Sequence, residues 1–273
     1  MQKIKNLAYL LVITLLLSSC GEYQKVLNKG TVEEQYKMAT KMYEAQKYNK
    51  AIRLFEKIVP SYRGKPQMER IQYMVAQSNF NVKNYSLAGY YFERFSRNYP
   101  KSSKREEAAF LSALGYYKAA PRYSLDPTDT NKALEKFQAF IDAYPNSDKI
   151  EEANEYYREL RYKLEKKAFE IAKTYYRTAE TYPRNYKAAI VAFDNLLSDY
   201  LGTSFKEEAL YYRLKAAHDF AMRSTKRRKE ERIKVAIKAY NKLKRNFPES
   251  KFMGESNDML TALQQEQEQL VKS

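Results

Sequence analysis

One thiol, one imidazole and a great many tyrosines are the side chains through which this sequence could do chemistry. Cys20 is the only cysteine in 273 residues, and the chain has a single histidine, His218. A nucleophilic site needs a thiol or hydroxyl activated by a neighbouring base, and that base oriented by a third group. His218 follows Ala216-Ala217 in a helical stretch, the setting of a packed structural residue. With no second histidine and no other cysteine beside it, it has no zinc-ligand set. Glu151-Glu152 and Glu207-Glu208 fall where helices should begin, and there they favour the helix dipole. Neither a Gly-rich phosphate loop nor a nucleophile elbow occurs. The sequence therefore offers no catalytic residue, no metal site and no cofactor site, and the chain reads as a non-enzyme.

What remains is the thiol, and its setting gives it a chemistry. Residues 1–5 carry Lys3 and Lys5, and an apolar run extends from Leu7 to Leu17, too short for the ~20 residues a bilayer-spanning helix needs. Small residues follow it, as at a signal-peptidase site. Leu17-Ser18-Ser19-Cys20 resembles the lipobox of bacterial lipoproteins, in which the cysteine is alkylated by a diacylglyceryl group, becomes the first residue after cleavage, and is then acylated with palmitate-type chains. The expected organisation is a signal peptide over 1–19 and a lipidated tether over 20–30, with Cys20 as the lipid attachment site. Two or three acyl chains suffice for stable anchoring. Once lipidated, Cys20 leaves no thiol for a disulfide, so the exported domain must hold itself together by packing. Formal charge is +16. That balance favours anionic partners, and the export signal argues against nucleic acid.

The elements that would position anything on this chain are written as a repeat. Ala51, Ala88, Ala133, Ala189 and Ala236 each begin one copy. Four residues on stand Phe55, Phe92, Phe137, Phe193 and Tyr240, and seven on stand Ile58, Phe95, Phe140, Leu196 and Leu243. Eleven on stand Tyr62, Tyr99, Tyr144, Tyr200 and Phe247. Offsets of 4, 7 and 11 trace one face of an α-helix. Pro100, Pro145 and Pro248 then discourage further helix, and Ser103-Lys104-Arg105-Glu106 and Ser204-Phe205-Lys206-Glu207 have capping-box spacing. The small residue admits a neighbouring helix, and the ring one turn on fills the gap beyond it.

The expected fold is all-α: a tetratricopeptide-repeat superhelical solenoid of about five helix-turn-helix units with a C-terminal capping helix. Repeats one to three occupy 31–145. Residues 146–273 supply a long linking helix, repeats four and five, and the cap. Residues 120–130 read as a long turn within repeat three, 150–182 as a helix free of Gly and Pro, 223–232 as a basic turn within repeat five, and 251–271 as the last helix.

A lipobox ahead of five irregular tetratricopeptide units resembles the BamD family, lipoproteins of the outer-membrane β-barrel assembly machinery. Local stretches add to the likeness: Asp126-Pro127-Thr128-Asp129-Thr130 ahead of Ala133, then Tyr175-Tyr176, Tyr186 and Ala188-Ala189-Ile190. The resemblance implies a scaffold, anchored by its lipid in the outer membrane and facing the periplasm. The implied partners are the barrel-forming subunit's periplasmic domain, other lipoproteins of the complex, and unfolded outer-membrane clients. The alternative is another tetratricopeptide lipoprotein, an adaptor for cell-wall or secretion-channel assembly. Gly21 and the single Glu22 after the cysteine favour the inner leaflet of the outer membrane.

Two surfaces are candidates for binding. First helices line the concave side of such an array, which places Tyr36 and Tyr43 from repeat one beside Arg70, Tyr73, Gln77 and Phe80 from repeat two. Aromatic walls with a cation nearby suit an extended peptide with an aromatic end and a free carboxylate, although rings at helical spacing equally serve to pack an array. The turn at Arg227, Arg228 and Lys229 suits an acidic protein face or anionic lipid, or is a solvated loop. The anchor is the most exposed of these expectations: Cys20→Ala should abolish incorporation of labelled palmitate, and a variant that remained acylated would remove Cys20 as the attachment site.

Overall fold

The computed structural model describes residues 21–272; the segment 1–19 and Cys20 lie outside the described residues. The elements are α1 (residues 21–29), α2 (Val32–Glu44), α3 (Tyr48–Ile58) with a 3-10 turn at Val59–Tyr62, α4 (Gln67–Asn81) and α5 (Tyr85–Asn98). They continue as α6 (Arg105–Ala119), α7 (Thr128–Ala143), α8 (Ile150–Thr178), α9 (Arg184–Asp199), α10 (Lys206–Met222), α11 (Lys226–Asn246) and α12 (Met253–Lys272). Among the described residues there is no strand. The expected all-α, tetratricopeptide-type pairing is what the chain forms: α2 packs on α3, α4 on α5, α6 on α7 and α10 on α11, while Phe169 and Ala172 of α8 pack against Ala189 and Phe193 of α9.

Contacts divide the chain into two compact units. Among the described residues one comprises 21–121 with Pro127–Leu160; the other comprises Arg122–Asp126 and 161–272. The division therefore falls inside α8, whereas the sequence pattern places it after Pro145. Within the second unit the short segment is held by α8: Lys167 Nζ donates to the Leu125 carbonyl, and Lys166 lies 4.7 Å from the Tyr123 ring centre.

The repeat seam accounts for the cores of both units. Ala51, Ala88, Ala133, Ala189 and Ala236 are all fully buried, as are Phe55, Phe92, Phe137 and Phe193, with Tyr240 nearly so. At three of the seams rings from the facing helix close edge-on, as Tyr73 does on Phe92 at 5.8 Å, Phe110 on Phe137 at 6.1 Å and Phe169 on Phe193 at 6.0 Å. Backbones approach most closely at α5 and α6. A methyl group built on Gly115 would lie 2.9 Å from both the Gly89 nitrogen and the Tyr85 carbonyl oxygen, so only glycine fits there. Ser112 Oγ donates to the Gly89 carbonyl at 2.9 Å across the same contact.

Each second helix from α5 onward ends the same way, and proline is not the cause. Tyr99, Tyr144, Tyr200 and Phe247 are the C-cap residues of α5, α7, α9 and α11, with φ between −120° and −141°. Tyr200 does this although Leu201, not proline, follows it. Three residues beyond each ring stands a hydroxyl: Ser102, Ser147, Thr203 and Ser250. Each donates its backbone N–H to the ring residue's carbonyl, and its side chain accepts from the N–H two residues on (Lys104, Lys149, Phe205 and Phe252) at 3.1–3.2 Å. This hydroxyl turn starts the next first helix. Ser103 and Ser204, expected as caps, are exposed and do not cap α6 or α10, which begin without a side-chain cap. A capping box forms at the start of α2, between Thr31 and Glu34.

Two further expectations change. Residues 21–29, read as a tether, are helical and docked: Tyr23 is buried, its hydroxyl donates to the Lys50 carbonyl at 3.2 Å, and the carbonyls of Val26 and Leu27 accept from Gln35 Nε2. Periodicity over so short a polar segment gave no sign of this. The basic segment 223–232 is not a turn; α10 ends at Met222 and α11 begins at Lys226, so Arg227, Arg228 and Lys229 are already helical.

Truncating a seam ring tests this packing. Phe92→Ala should cost about 3–5 kcal/mol in denaturant unfolding, whereas Tyr90→Ala, on the exposed side of the same helix, should stay within about 0.5 kcal/mol.

Candidate functional site

The six candidate groove residues lie on α2 and α4, and the structure gives their rings two jobs. Tyr36 packs on Tyr62 at 5.4 Å and Tyr43 edge-on to Tyr48 at 5.9 Å. Tyr73 meets Phe92 and Phe95, and Phe80 meets Tyr85 and Phe92. All four rings are half-buried, so each buttresses the second helix of its own pair while leaving an edge on the first-helix face. Gln77 is half-buried among them. Arg70 projects outward, 61% exposed, with Glu44 at 3.8 Å. Arg70 and Tyr73 stand three residues apart on α4; burial raises the Tyr43 hydroxyl's pKa, Tyr48 and Glu107 raise it further, and Arg70 opposes them. Tyr36 and Tyr43 both border the core cluster that contains Tyr62.

From Tyr73 the site extends onto α6. The Tyr73 hydroxyl donates to Glu107 Oε1 at 2.7 Å, Lys104 Nζ donates to Glu107 Oε2 at 2.7 Å, and Lys104 stands 5.6 Å from the Tyr73 ring centre. Beyond Glu107 opens a cleft of about 570 Å³ with Phe110, Leu111, Leu114 and Phe140 as its apolar lining and Lys149 and Glu152 at its edge. A second cleft, of about 670 Å³, lies between α3, α4 and α5 and is lined by none of the six candidates. The first is continuous with them through Glu107. Apolar walls with charges of both signs at the rim suit a side chain of a bound segment.

The link from Tyr73 to Glu107 is one of a series. Tyr117 on α6 donates to Glu159 on α8, Tyr176 on α8 to Asp219 on α10 at 2.8 Å, and Tyr211 on α10 to Glu255 on α12. Each bond runs from one first helix to the next, or to the cap. Sequence reasoning missed the series because its partners stand 34, 42, 43 and 44 residues apart, in no fixed register with the seam. Burial, then the neighbouring carboxylate, raises the pKa of Tyr73, Tyr117 and Tyr176, and pushes Tyr211 up to about 12. Burial alone would raise Glu107 and Asp219, but Lys104 and Tyr73 on the former, and His218 and Tyr176 on the latter, hold both below the ordinary carboxylate value. Hydrogen bonds from Lys215 and Tyr211 lower Glu255. His218 Nδ1 lies 2.8 Å from Asp219 Oδ1, beside the third bond of the series, while its buried Nε2 has no hydrogen-bond partner among the described residues.

At the basic segment, Lys229 is tied down by Glu266 of α12 at 2.5 Å, and Arg227 and Arg228 are exposed.

A family model described as outer membrane lipoprotein, YfiO, matches residues 28–231, from the end of α1 to the first turns of α11. The chain belongs to the YfiO family. Two curated relatives carry the BamD name. An Aquifex aeolicus protein described as a probable ("putative") outer membrane protein assembly factor BamD is 29% identical over 209 residues, 76% of this chain and 66% of its own length. The Haemophilus influenzae outer membrane protein assembly factor BamD is 23% identical over 185 residues, 64% of this chain and 70% of its own. The family assignment agrees with the resemblance read from the repeat. A solved Podospora anserina kinesin light chain with TPR-like repeats overlaps 89% of this chain and 97% of its own at 13% identity and a TM-score of 0.32, so the fold of this YfiO-family chain rests on its own helix pairs.

The tyrosine–carboxylate series makes stability fall at both ends of the pH scale. Carboxylates with lowered pKa stabilise fully above their unfolded values near about 4, and lose that contribution as pH falls through the folded ones. Tyrosines with raised pKa stabilise fully below about 10 and lose it as pH rises through the folded values. Melting temperature should be flat from about pH 6 to 9 and fall on either side. Tyr73→Phe with Tyr176→Phe should flatten the alkaline limb, and an unchanged limb would mean these hydroxyls carry none of it.

Proposed function

We propose that this chain is a lipid-anchored scaffold of outer-membrane protein assembly, facing the periplasm. It engages the barrel subunit's periplasmic domain and holds extended segments of client β-barrel proteins. Membership of an outer membrane lipoprotein family supports the placement, and the relatives named as outer membrane protein assembly factors support the process. Cys20 is the proposed point of attachment. Nothing in the arrangement of side chains calls for catalysis; first helices that present half-buried rings and charges of both signs are what a binding face needs.

The client face proposed is that of α2, α4 and α6. The observation that carries it is the Tyr73 hydroxyl's bond to Glu107 at the edge of the apolar cleft, with Arg70 exposed three residues before Tyr73 on the same helix. In this reading the rings flank an aromatic terminal side chain, and Arg70, exchanging Glu44 for the ligand, takes the terminal carboxylate. Tyr36, Gln77 and Phe80 complete the wall along the same two helices.

A short peptide ending in phenylalanine tests the assignment by fluorescence anisotropy. Arg70 is exposed, so Arg70→Gln should leave the fold intact while weakening the free-acid peptide roughly 10-fold, the worth of a charge-assisted hydrogen bond. The amidated peptide should bind weakly and equally to both proteins. Equal affinities of the two proteins for the free acid would reject Arg70 as the carboxylate's partner.

A further inference from the structure

The second helix of the last pair carries a surface that the client face does not use. α11 holds ten Lys or Arg against two Glu, a net +8 in 21 residues, half the formal +16 of the whole chain. Its buried seam is Ile233, Ala236, Ala239, Tyr240 and Leu243. On the opposite side Arg227, Lys234, Lys238 and Arg245 stand at offsets of 0, 7, 11 and 18, which is one straight row along a helix. At about 1.5 Å per residue the row is roughly 27 Å long. All four side chains are exposed, with Lys242 beside them. Lys234 pairs with Glu230 at 2.7 Å, an exposed contact one helical turn long. Glu231 is the one carboxylate lying within the row. Among the described residues, Arg227, Lys238, Lys242 and Arg245 have no ion-pair partner, whereas the cations turned sideways are engaged: Lys229 with Glu266, and Arg232 on the Phe220 ring at 3.6 Å.

The geometry points to a flat anionic phospholipid surface as what this row meets. A protein partner would be expected to bury aromatic or aliphatic anchors at the centre of its contact and to avoid lysine there. The row on α11 has no ring in it, and lysine predominates around it. A headgroup layer makes the opposite demand: several cations within a Debye length of one plane, in no fixed register. The open cleft along the row is lined by Lys234, Lys238, Lys242, Arg245 and two asparagines, with Ile237 as its one aliphatic residue. The exposed Val235, beside the row, adds only a slight apolar edge. This contact goes beyond the client face and does not depend on it, since it lies on the other unit of the chain.

Vesicle co-sedimentation tests it, using the full chain with Cys20→Ala so that acyl chains contribute nothing. Vesicles of phosphatidylcholine with phosphatidylglycerol are compared with phosphatidylcholine alone, and the ratio of the two affinities is the readout, so any pull from the N-terminal apolar segment cancels. Each cation at an anionic leaflet is worth roughly fivefold. The parent should prefer the anionic vesicles, and Arg227→Gln with Lys238→Gln and Arg245→Gln should lower that preference at least about tenfold. A control removing three exposed cations elsewhere (Lys37→Gln, Arg97→Gln, Lys101→Gln) should change it less than about twofold. No preference in the parent, which would leave an acidic protein as the partner, overturns the proposal. So does an equal loss in both triples, which would mean that net charge and not the row is sensed. Should the α11 triple melt early, Lys238→Gln alone carries the test: roughly a fivefold loss supports the row, and none overturns it.

Discussion

No helix in this chain can bury its aromatic stripe alone, and the rest of the structure follows from that. An α-helix of eleven to twenty-one residues with alanine, a ring one turn on and a further large apolar side chain at offset seven has a face that water must not see. The alanine lets a second helix come close enough to cover it, and the ring one turn later fills what the alanine leaves open. Because the covering helix has a second face of its own, it needs a further neighbour. The pairing propagates until a helix with a polar outer side, α12, stops it. Glu255 and Glu266, which accept from Tyr211 and Lys229, fasten that last helix to the pair before it.

Two kinds of contact then divide the labour. Burial at the seam is strong and non-directional, so it sets which helices pair but tolerates sliding. The tyrosine–carboxylate bonds between successive first helices are directional, and within each unit a hydroxyl that must reach one carboxylate oxygen fixes the register of one first helix on the next. Those same first helices carry the candidate binding face. Tyr73 belongs to both, as a ring against Phe92 and Phe95 and as a donor to Glu107. The binding face is therefore held by the scaffold's own register and not by a mobile loop.

The seam was legible in the sequence because its offsets are local and periodic: the five alanines and the residues four and seven beyond them are buried in every copy. The long helix from Ile150 and the turn ahead of Thr128 were legible too, from the absence of breakers in one and their abundance in the other. What was not legible depends on contacts between distant residues or on which of two adjacent hydroxyls turns inward. Ser102 rather than Ser103, and Thr203 rather than Ser204, forms the turn, because the backbone bond to the preceding ring's carbonyl selects the residue three beyond that ring. Charge density at Arg227, Arg228 and Lys229 suggested a loop, yet the N-terminus of α11 accommodates them because the seam downstream at Ile233 and Ala236 holds the helix. Of the groove, the identity of the helices was readable and the distribution was not: Tyr36 serves the core around Tyr62, while Glu107, which no local pattern marks, joins Tyr73 to the cleft.

Amide hydrogen exchange tests the seam most directly, since it reports each helix separately. The account predicts the slowest exchange at Ala51, Ala88, Ala133, Ala189 and Ala236 together, one in every second helix, with residues 122–126 exchanging fastest among the connections. Exchange at Ala189 or Ala236 as rapid as in those connections, while the first three stay protected, would contradict it, because a repeat would then be standing without the seam that is said to hold it.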